Sequence, residues 1–250
     1  MSAPSARPVA LVTGGTTGIG LATARLLHDQ GHAVIITGQN PDTLAAAQRA
    51  LPDDVLVLRA DARAIADATH VADEIRRRFG RLDVVFLNAG ISKFAPLEAI
   101  DEASYTSVFD VNVKGPLFTL QQVLPLLGRG ASVIFNSSVI AGKGVANSAV
   151  YAATKAAVAS LVRTLSVELA PRGIRVNAVS PGPIETPIYT KQGLPDDAVR
   201  GLKQELVAKV PLARLGADDE VARTVAFLAS SAASYVSGAD LPVDGALGVT

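Results

Sequence analysis

The stretch Leu11-Val12-Thr13-Gly14-Gly15-Thr16-Thr17-Gly18-Ile19-Gly20 decides the fold. It closes a short β-branched run, Val9–Thr13, and opens a helical pattern over Gly18–Gln30. Glycines at such a strand-to-helix junction allow a tight turn. They also let an anionic pyrophosphate approach the N–H groups at the helix start. A Gly-rich turn with no ligand would look the same in isolation, so the remaining chain has to carry the assignment.

Working outward, short apolar runs alternate with longer helical patterns. Val9–Thr13, Ala33–Thr37, Val55–Arg59, Leu82–Leu87, Ser132–Asn136 and Ile174–Val179 read as strands buried on both faces. Helices are predicted near Gly18–Gln30, Thr43–Ala50, Ile65–Phe79, Glu102–Leu127, Ser148–Leu169 and Asp219–Ala229. Asn40-Pro41 suits a helix start, whereas Gly31, Gly80 and Gly173 suit helix ends. This alternation predicts an α/β class, one doubly wound Rossmann-type domain over 9–250 with about seven parallel strands. A last edge strand is expected at Ala239–Val243. Met1–Pro8 reads as a disordered lead-in, and the Pro-containing insertion around 183–210 as a mobile substrate lid. Arg76-Arg77-Arg78 falls in the last turns of a helix, where cations offset the macrodipole.

Composition narrows the function. Of 250 residues, 49% are hydrophobic, and 23 Lys+Arg balance 23 Asp+Glu. Zero net charge argues against nucleic acid or an anionic membrane as the main partner. Without cysteine there are no disulfides, thiol nucleophiles or zinc–thiolate sites. His28 and His32 are separated by Gly31 and do not share a helix face, so no metal is expected. No apolar run approaches the roughly 18–20 residues of a membrane span. A cytoplasmic location is the default expectation.

Gly14, Gly18 and Gly20 are spaced Gly-x-x-x-Gly-x-Gly after Thr13, and this resembles the short-chain dehydrogenase/reductase family. The likeness extends over nearly the whole chain. Asp61-Ala62 resembles the family's adenine-contacting element, and Asn88-Ala89-Gly90 its Asn-Ala-Gly element beside the cofactor. Asn112 matches its helix asparagine, and Pro181-Gly182 with Thr186 the segment at the nicotinamide carboxamide. Ser138 stands thirteen residues before Tyr151, and Tyr151-Ala152-Ala153-Thr154-Lys155 repeats the Tyr-x-x-x-Lys signature. The resemblance implies cofactor contacts at Gly14, Thr16, Thr17, Gly18, Ile19, Gly20, Gln39, Asp61, Ala62, Asn88, Ala89, Gly90, Tyr151, Lys155, Pro181, Gly182, Ile184 and Thr186. It implies a catalytic set of Asn112, Ser138, Tyr151 and Lys155, and a homotetramer.

The residue types suit carbonyl–alcohol interconversion. Tyr151 and Lys155, four apart on a helix, share one face about 6 Å apart along the axis. A reduced carbonyl needs a proton, and a nearby ammonium makes the phenol a better donor by stabilising the phenolate. By resemblance Lys155 also bonds the nicotinamide ribose. Ser138 would steady charge on the substrate oxygen, with Ser137 the competing candidate. Asn112 would be a water-holding link to Lys155, the alternative being an asparagine bonded to local backbone.

Gly38 stands where NAD-preferring relatives carry Asp, which favours NADP(H). The cations that NADP-preferring relatives place at Gln39 or Thr17 are missing, so NAD(H) stays open. Ile140, Val145, Ile184, Ile188 and Tyr189 are expected around an apolar substrate pocket, with ordinary lid or core packing as the alternative. Within the family the chain looks like secondary-alcohol dehydrogenases and carbonyl reductases. A 3-oxoacyl-thioester reductase is the alternative, although Lys143 and Lys191 are too few for an acidic-carrier patch. A non-catalytic cofactor sensor and a structural subunit rank lower, because the Tyr/Lys pair is complete.

Overall fold

The computed structural model describes residues 7–187 and 195–250. Its main sheet runs parallel throughout, built from β1 (Val9–Val12), β2 (Ala33–Gly38), β3 (Leu56–Arg59), β4 (Leu82–Leu87), β5 (Leu127–Asn136), β6 (Arg175–Pro181) and β9 (Asp240–Val243). The spatial order is β3-β2-β1-β4-β5-β6-β9, so the winding reverses between β1 and β4. The expected edge strand is therefore present and pairs with β6, from Ala178 against Asp240 to Pro181 against Val243.

Helices cover both faces, because each parallel crossover needs one. Strands buried twice show it in their side chains. Leu11, Val85, Val133, Phe135 and Val176 feed one core layer, with Ile75 of α3 (Ile65–Phe79) and Val158 of α6 (Ala149–Leu169). Val12, Ile36, Phe86, Ile134 and Val179 feed the other, with Leu27 of α1 (Gly18–Asp29) and Val225 of α8 (Asp218–Ala229). Alternate residues of one strand thus serve opposite layers.

Local chemistry sets the element ends. Asn40 Oδ1 accepts from Asp42 and Thr43 amides at 2.8 and 3.1 Å, with Pro41 opening α2 (Pro41–Ala50). Gly80 ends α3 in the left-handed region at φ 70°. Arg77 and Arg78 there pair with Glu74, and Arg76 with Asp73, as a solvated helix end would.

Two expectations are corrected. The helix expected over Glu102–Leu127 is broken into α4 (Glu102–Phe109), a π-helical segment Asp110–Lys114, α5 (Gly115–Val123) and a 3₁₀ turn, with β5 beginning already at Leu127. Pro116 is one cause, since it has no N–H for the Asn112 carbonyl four residues back. Secondly, residues 1–6 of the expected lead-in lie outside the described residues, but Arg7 and Pro8 are anchored. Arg7 donates to the Gly31 and His32 carbonyls and to Asp54 at 3.1, 2.6 and 2.7 Å, and the Pro8 carbonyl accepts from Ala33. The insertion after β6 carries structure of its own among the described residues. Two-residue strands β7 (Ile184–Glu185) and β8 (Gly216–Ala217) pair in parallel, and α7 spans Asp196–Lys209. Among the described residues, no helix is long and apolar enough to cross a membrane.

Candidate active site

The site lies along the C-terminal ends of β1, β4, β5 and β6, where the reversal of winding opens a crevice. The glycine loop sits at the end of β1. Gly14 takes φ +62°, and a Cβ at position 20 would lie 2.3 Å from the Gly14 carbonyl oxygen. Only glycine fits there. Thr17 is the N-cap of α1 but makes no side-chain cap, so the first amides of the helix are not closed off by it. Thr186, expected from the sequence near the cofactor, lies directly against Gly18.

Thr13 and Asn88 lock this loop to the neighbouring strand. Thr13 Oγ1 accepts from the amides of Asn88 and Ala89 at 2.9 and 3.1 Å. The Asn88 amide group donates to the carbonyls of Thr13 and Gly14, both at 3.0 Å. Asn136 Nδ2 in turn donates to Asn88 Oδ1 at 2.9 Å, and the Asn136 carbonyl accepts from Lys155 Nζ at 2.7 Å. A continuous hydrogen-bonded path therefore joins the phosphate loop to the lysine. Asn136, at the end of β5, is a member that residue-type reasoning missed. Its role depends on which strands are adjacent, which motif spacing does not encode.

Lys155 is 4% exposed, and burial lowers its pKa to about 8, opposed in part by the charge of Asp240. Its Nζ lies 5.7 Å from the centre of the Tyr151 ring. Burial raises the Tyr151 pKa, and the hydrogen bond with Ser138 pulls it back down. Ser138 is the N-cap of the 3₁₀ turn Val139–Gly142, which sets its hydroxyl between the Ile140 amide and the Pro181 carbonyl. Ser137, the rival, is buried with no hydrogen-bond partner for its hydroxyl.

Asn112 faces the same centre from the π-helical segment. Its Oδ1 accepts from the Ile91 amide, and its Nδ2 donates to the Ile91 carbonyl and Thr154 Oγ1, at 2.9, 2.9 and 3.1 Å. Both side-chain N–H groups are thus committed to structure. The missing N–H at Pro116 leaves its backbone carbonyl without the usual α-helical donor. Gly90 lies between the two groups, since a Cβ there would be 3.4 Å from Asn112 Oδ1 and 3.7 Å from Lys155 Nζ.

At the far end, Gln39 Nε2 donates to Asp61 Oδ2 at 2.9 Å, and Arg63 grips the same carboxylate with its Nε and NH2. Arg63 holds the Asp61 carboxyl below its ordinary range. Sequence reasoning found no cation near Gln39, because Arg63 approaches from the next strand–helix junction. Thr16 is buried, its methyl against Gly38 and its hydroxyl accepting from Thr43. Ala62 packs its carbonyl against Gly115. Gly182 packs on Asp244, and its amide bonds the Val243 carbonyl.

Of the residues expected around the pocket, Ile140 is buried and Val145 is 48% exposed. Ile184 takes the core-packing alternative: at 5% exposure it joins the layer of α1 and α8, with β7 turning it inward against Gly216. Ile188, Tyr189 and Lys191 lie outside the described residues. Phe94, not singled out from the sequence, lies edge-on to Tyr151 with ring centres 5.6 Å apart.

Comparison with known proteins gives the chain's family and fold. A family model described as enoyl-(acyl carrier protein) reductase matches residues 14–249. The chain is 41% identical to cis-4-hydroxycyclohexanecarboxylate dehydrogenase of Sinomonas cyclohexanicum, covering 96% of each chain. Its fold superimposes on levodione reductase with a TM-score of 0.90 at 34% identity, covering 97% of this chain and 98% of that one. It also matches a 3-ketoacyl-(acyl-carrier-protein) reductase from Brucella melitensis complexed with NADH, with a TM-score of 0.88 at 29% identity, over 96% and 98% of the two chains.

Two outcomes are expected. Gly20→Ala forces the Gly14 carbonyl aside and should weaken dinucleotide binding at least about tenfold with little loss of helix content, as read by fluorescence titration and circular dichroism. Lys155→Met should stabilise the cofactor-free protein at neutral pH, by something on the order of 1–3 kcal/mol, while abolishing turnover. The folded chain releases the lysine proton near 8 and the unfolded chain near 10.5. The handicap is therefore fully present below about pH 8 and fades as pH rises through that window. Denaturant melts across pH 7–11 check it, and a gain that grows with pH would contradict it.

Proposed function

The chain belongs to the short-chain dehydrogenase/reductase family of oxidoreductases, and on that premise we propose that it interconverts a ketone and a secondary alcohol, with Tyr151 as the acid/base. The observation that carries this reading is the buried Lys155 ammonium beside the Tyr151 ring, with the Ser138 hydroxyl acting to lower the pKa of the same phenol. A nicotinamide dinucleotide, when bound, supplies or accepts the hydride. The tight Gly14–Gly20 turn and the open start of α1 fit its pyrophosphate, with Thr16, Thr17 and Ile19 around it.

The protein's own part is proton transfer and orientation. Ser138 donates to the substrate oxygen and holds it at the Tyr151 hydroxyl. Tyr151 gives its proton as negative charge grows on that oxygen. Lys155 steadies the resulting phenolate, a large effect at a site shielded from water. Asn112 contributes through its carbonyl, which can hold a water that returns a proton toward Lys155. Oxidation runs the same steps in reverse. In this reading β7 and α7 belong to the substrate lid, and exposed apolar residues such as Val167 and Tyr235 suit assembly into a homotetramer.

One of the similar proteins carries a hydroxycyclohexane compound in its name, which supports a cyclic alcohol or ketone here. A 3-oxoacyl thioester is the second reading, favoured by the likeness to the Brucella melitensis reductase. For the cofactor, the absence of an acid at Gly38 together with Arg63 beside Gln39 favours NADP(H), with NAD(H) as the alternative.

Tyr151→Phe should keep the fold and cofactor affinity and lower kcat at least about a thousandfold. Near-normal turnover on a carbonyl panel would remove Tyr151 from the role. Arg63→Ala should raise the Kd for NADPH about tenfold and leave that for NADH within about threefold. Equal losses for both would show that Arg63 does not read a 2′-phosphate.

A further inference from the structure

We propose that Phe94 is the specificity-determining residue of the pocket and that it selects a cyclic, largely apolar ketone or secondary alcohol over an open-chain one. The proposal rests on the assignment of Tyr151 above.

The loop after β4 is fixed on both sides of Phe94. On one side, the Ile91 amide and carbonyl are both bonded by the Asn112 side chain, at 2.9 Å each. On the other, the Ala95 amide donates to the Asn147 carbonyl at 2.8 Å. Asn147 takes φ 64°, a left-handed conformation that asparagine tolerates better than most residues. Only Ser92, Lys93 and Phe94 lie between these anchors, so the aromatic ring is presented over the site by a short, tethered arch.

Core packing does not account for the ring. Phe94 is 47% exposed and belongs to neither core layer. Its ring partner is Tyr151, and the two planes are inclined at 63°. The edge-on contact fixes Phe94 against the phenol-bearing ring and leaves about half of its own surface open as a flat apolar wall. A saturated ring laid against that wall covers the exposed part of Phe94 while its oxygen meets the phenol. A straight chain has more torsions to freeze and covers a flat wall less completely. Losing one such apolar contact costs selectivity of about 10- to 200-fold, which matches the scale a single side chain can supply.

The test compares wild type, Phe94→Ala and Phe94→Leu with cyclohexanone and 2-hexanone, both neutral six-carbon ketones, using saturating NADPH or NADH, whichever the enzyme prefers. Wild type should favour cyclohexanone by about tenfold or more in kcat/KM. Phe94→Ala should bring that ratio close to one, mainly by raising KM for the cyclic ketone, with cofactor Kd and Tm unchanged. Phe94→Leu should fall between. A ratio unaltered in Phe94→Ala, or a wild type that prefers 2-hexanone, overturns the proposal and leaves the Tyr151 assignment standing. A wild type that binds cofactor and reduces neither these ketones nor any other carbonyl overturns both.

Discussion

Everything at the site depends on keeping one ammonium, that of Lys155, in a place where water hardly reaches. A charge so buried survives only if fixed partners replace its hydration. The Asn136 carbonyl is the partner the structure shows, at 2.7 Å, and the distant negative charge of Asp240 helps. Asn136 cannot move, because its side chain is tied to Asn88, and Asn88 is tied to Thr13 and Gly14. The phosphate loop and the proton-transfer centre are therefore parts of one rigid assembly. A shift in either one has to be transmitted through two asparagine side chains.

The sheet makes that assembly possible. β1, β4, β5 and β6 are parallel neighbours, so their C-terminal ends lie in one row. Thr13 follows β1, Asn88 follows β4, Asn136 ends β5 and Pro181 ends β6. Residues scattered over most of the chain are brought side by side with no long loop needed to gather them. The two core layers hold this row in register. Phe86 and Phe135 on adjacent strands point to opposite layers, so a slip of one residue would send each bulky ring into the layer packed for its neighbour.

Most of this was legible in the sequence because it follows from short-range rules. Apolar runs gave the strands, Gly and Asn-Pro their punctuation, and the four-residue spacing of Tyr151 and Lys155 a shared helix face. What stayed hidden depended on pairing across space. Asn136 read only as the end of a strand, and its link to Asn88 follows from β5 lying against β4. Arg63 was invisible as a neighbour of Gln39, because Asp61 alone brings the two together. Ile184 was read as pocket because it is apolar and near the lid, whereas β7 turns it into the core. The break after α4 had a local signal in Pro116, which a single helix over Glu102–Leu127 passes over.

The residues that carry chemistry and those that shape the pocket are held in different ways. Tyr151 and Lys155 sit on a long helix, Ser138 on a capped turn at a strand end, and Asn112 in a π-helical segment braced by Ile91. Each is fixed by backbone geometry that tolerates little change. Phe94, Val145 and Asn147 sit on two loops joined by one backbone hydrogen bond. Exchanging a side chain there alters the shape seen by a substrate without touching the path from Gly14 to Lys155. Such a division explains how one scaffold can keep its proton chemistry constant while its pocket changes, since the demanding constraint and the adaptable one fall on separate elements.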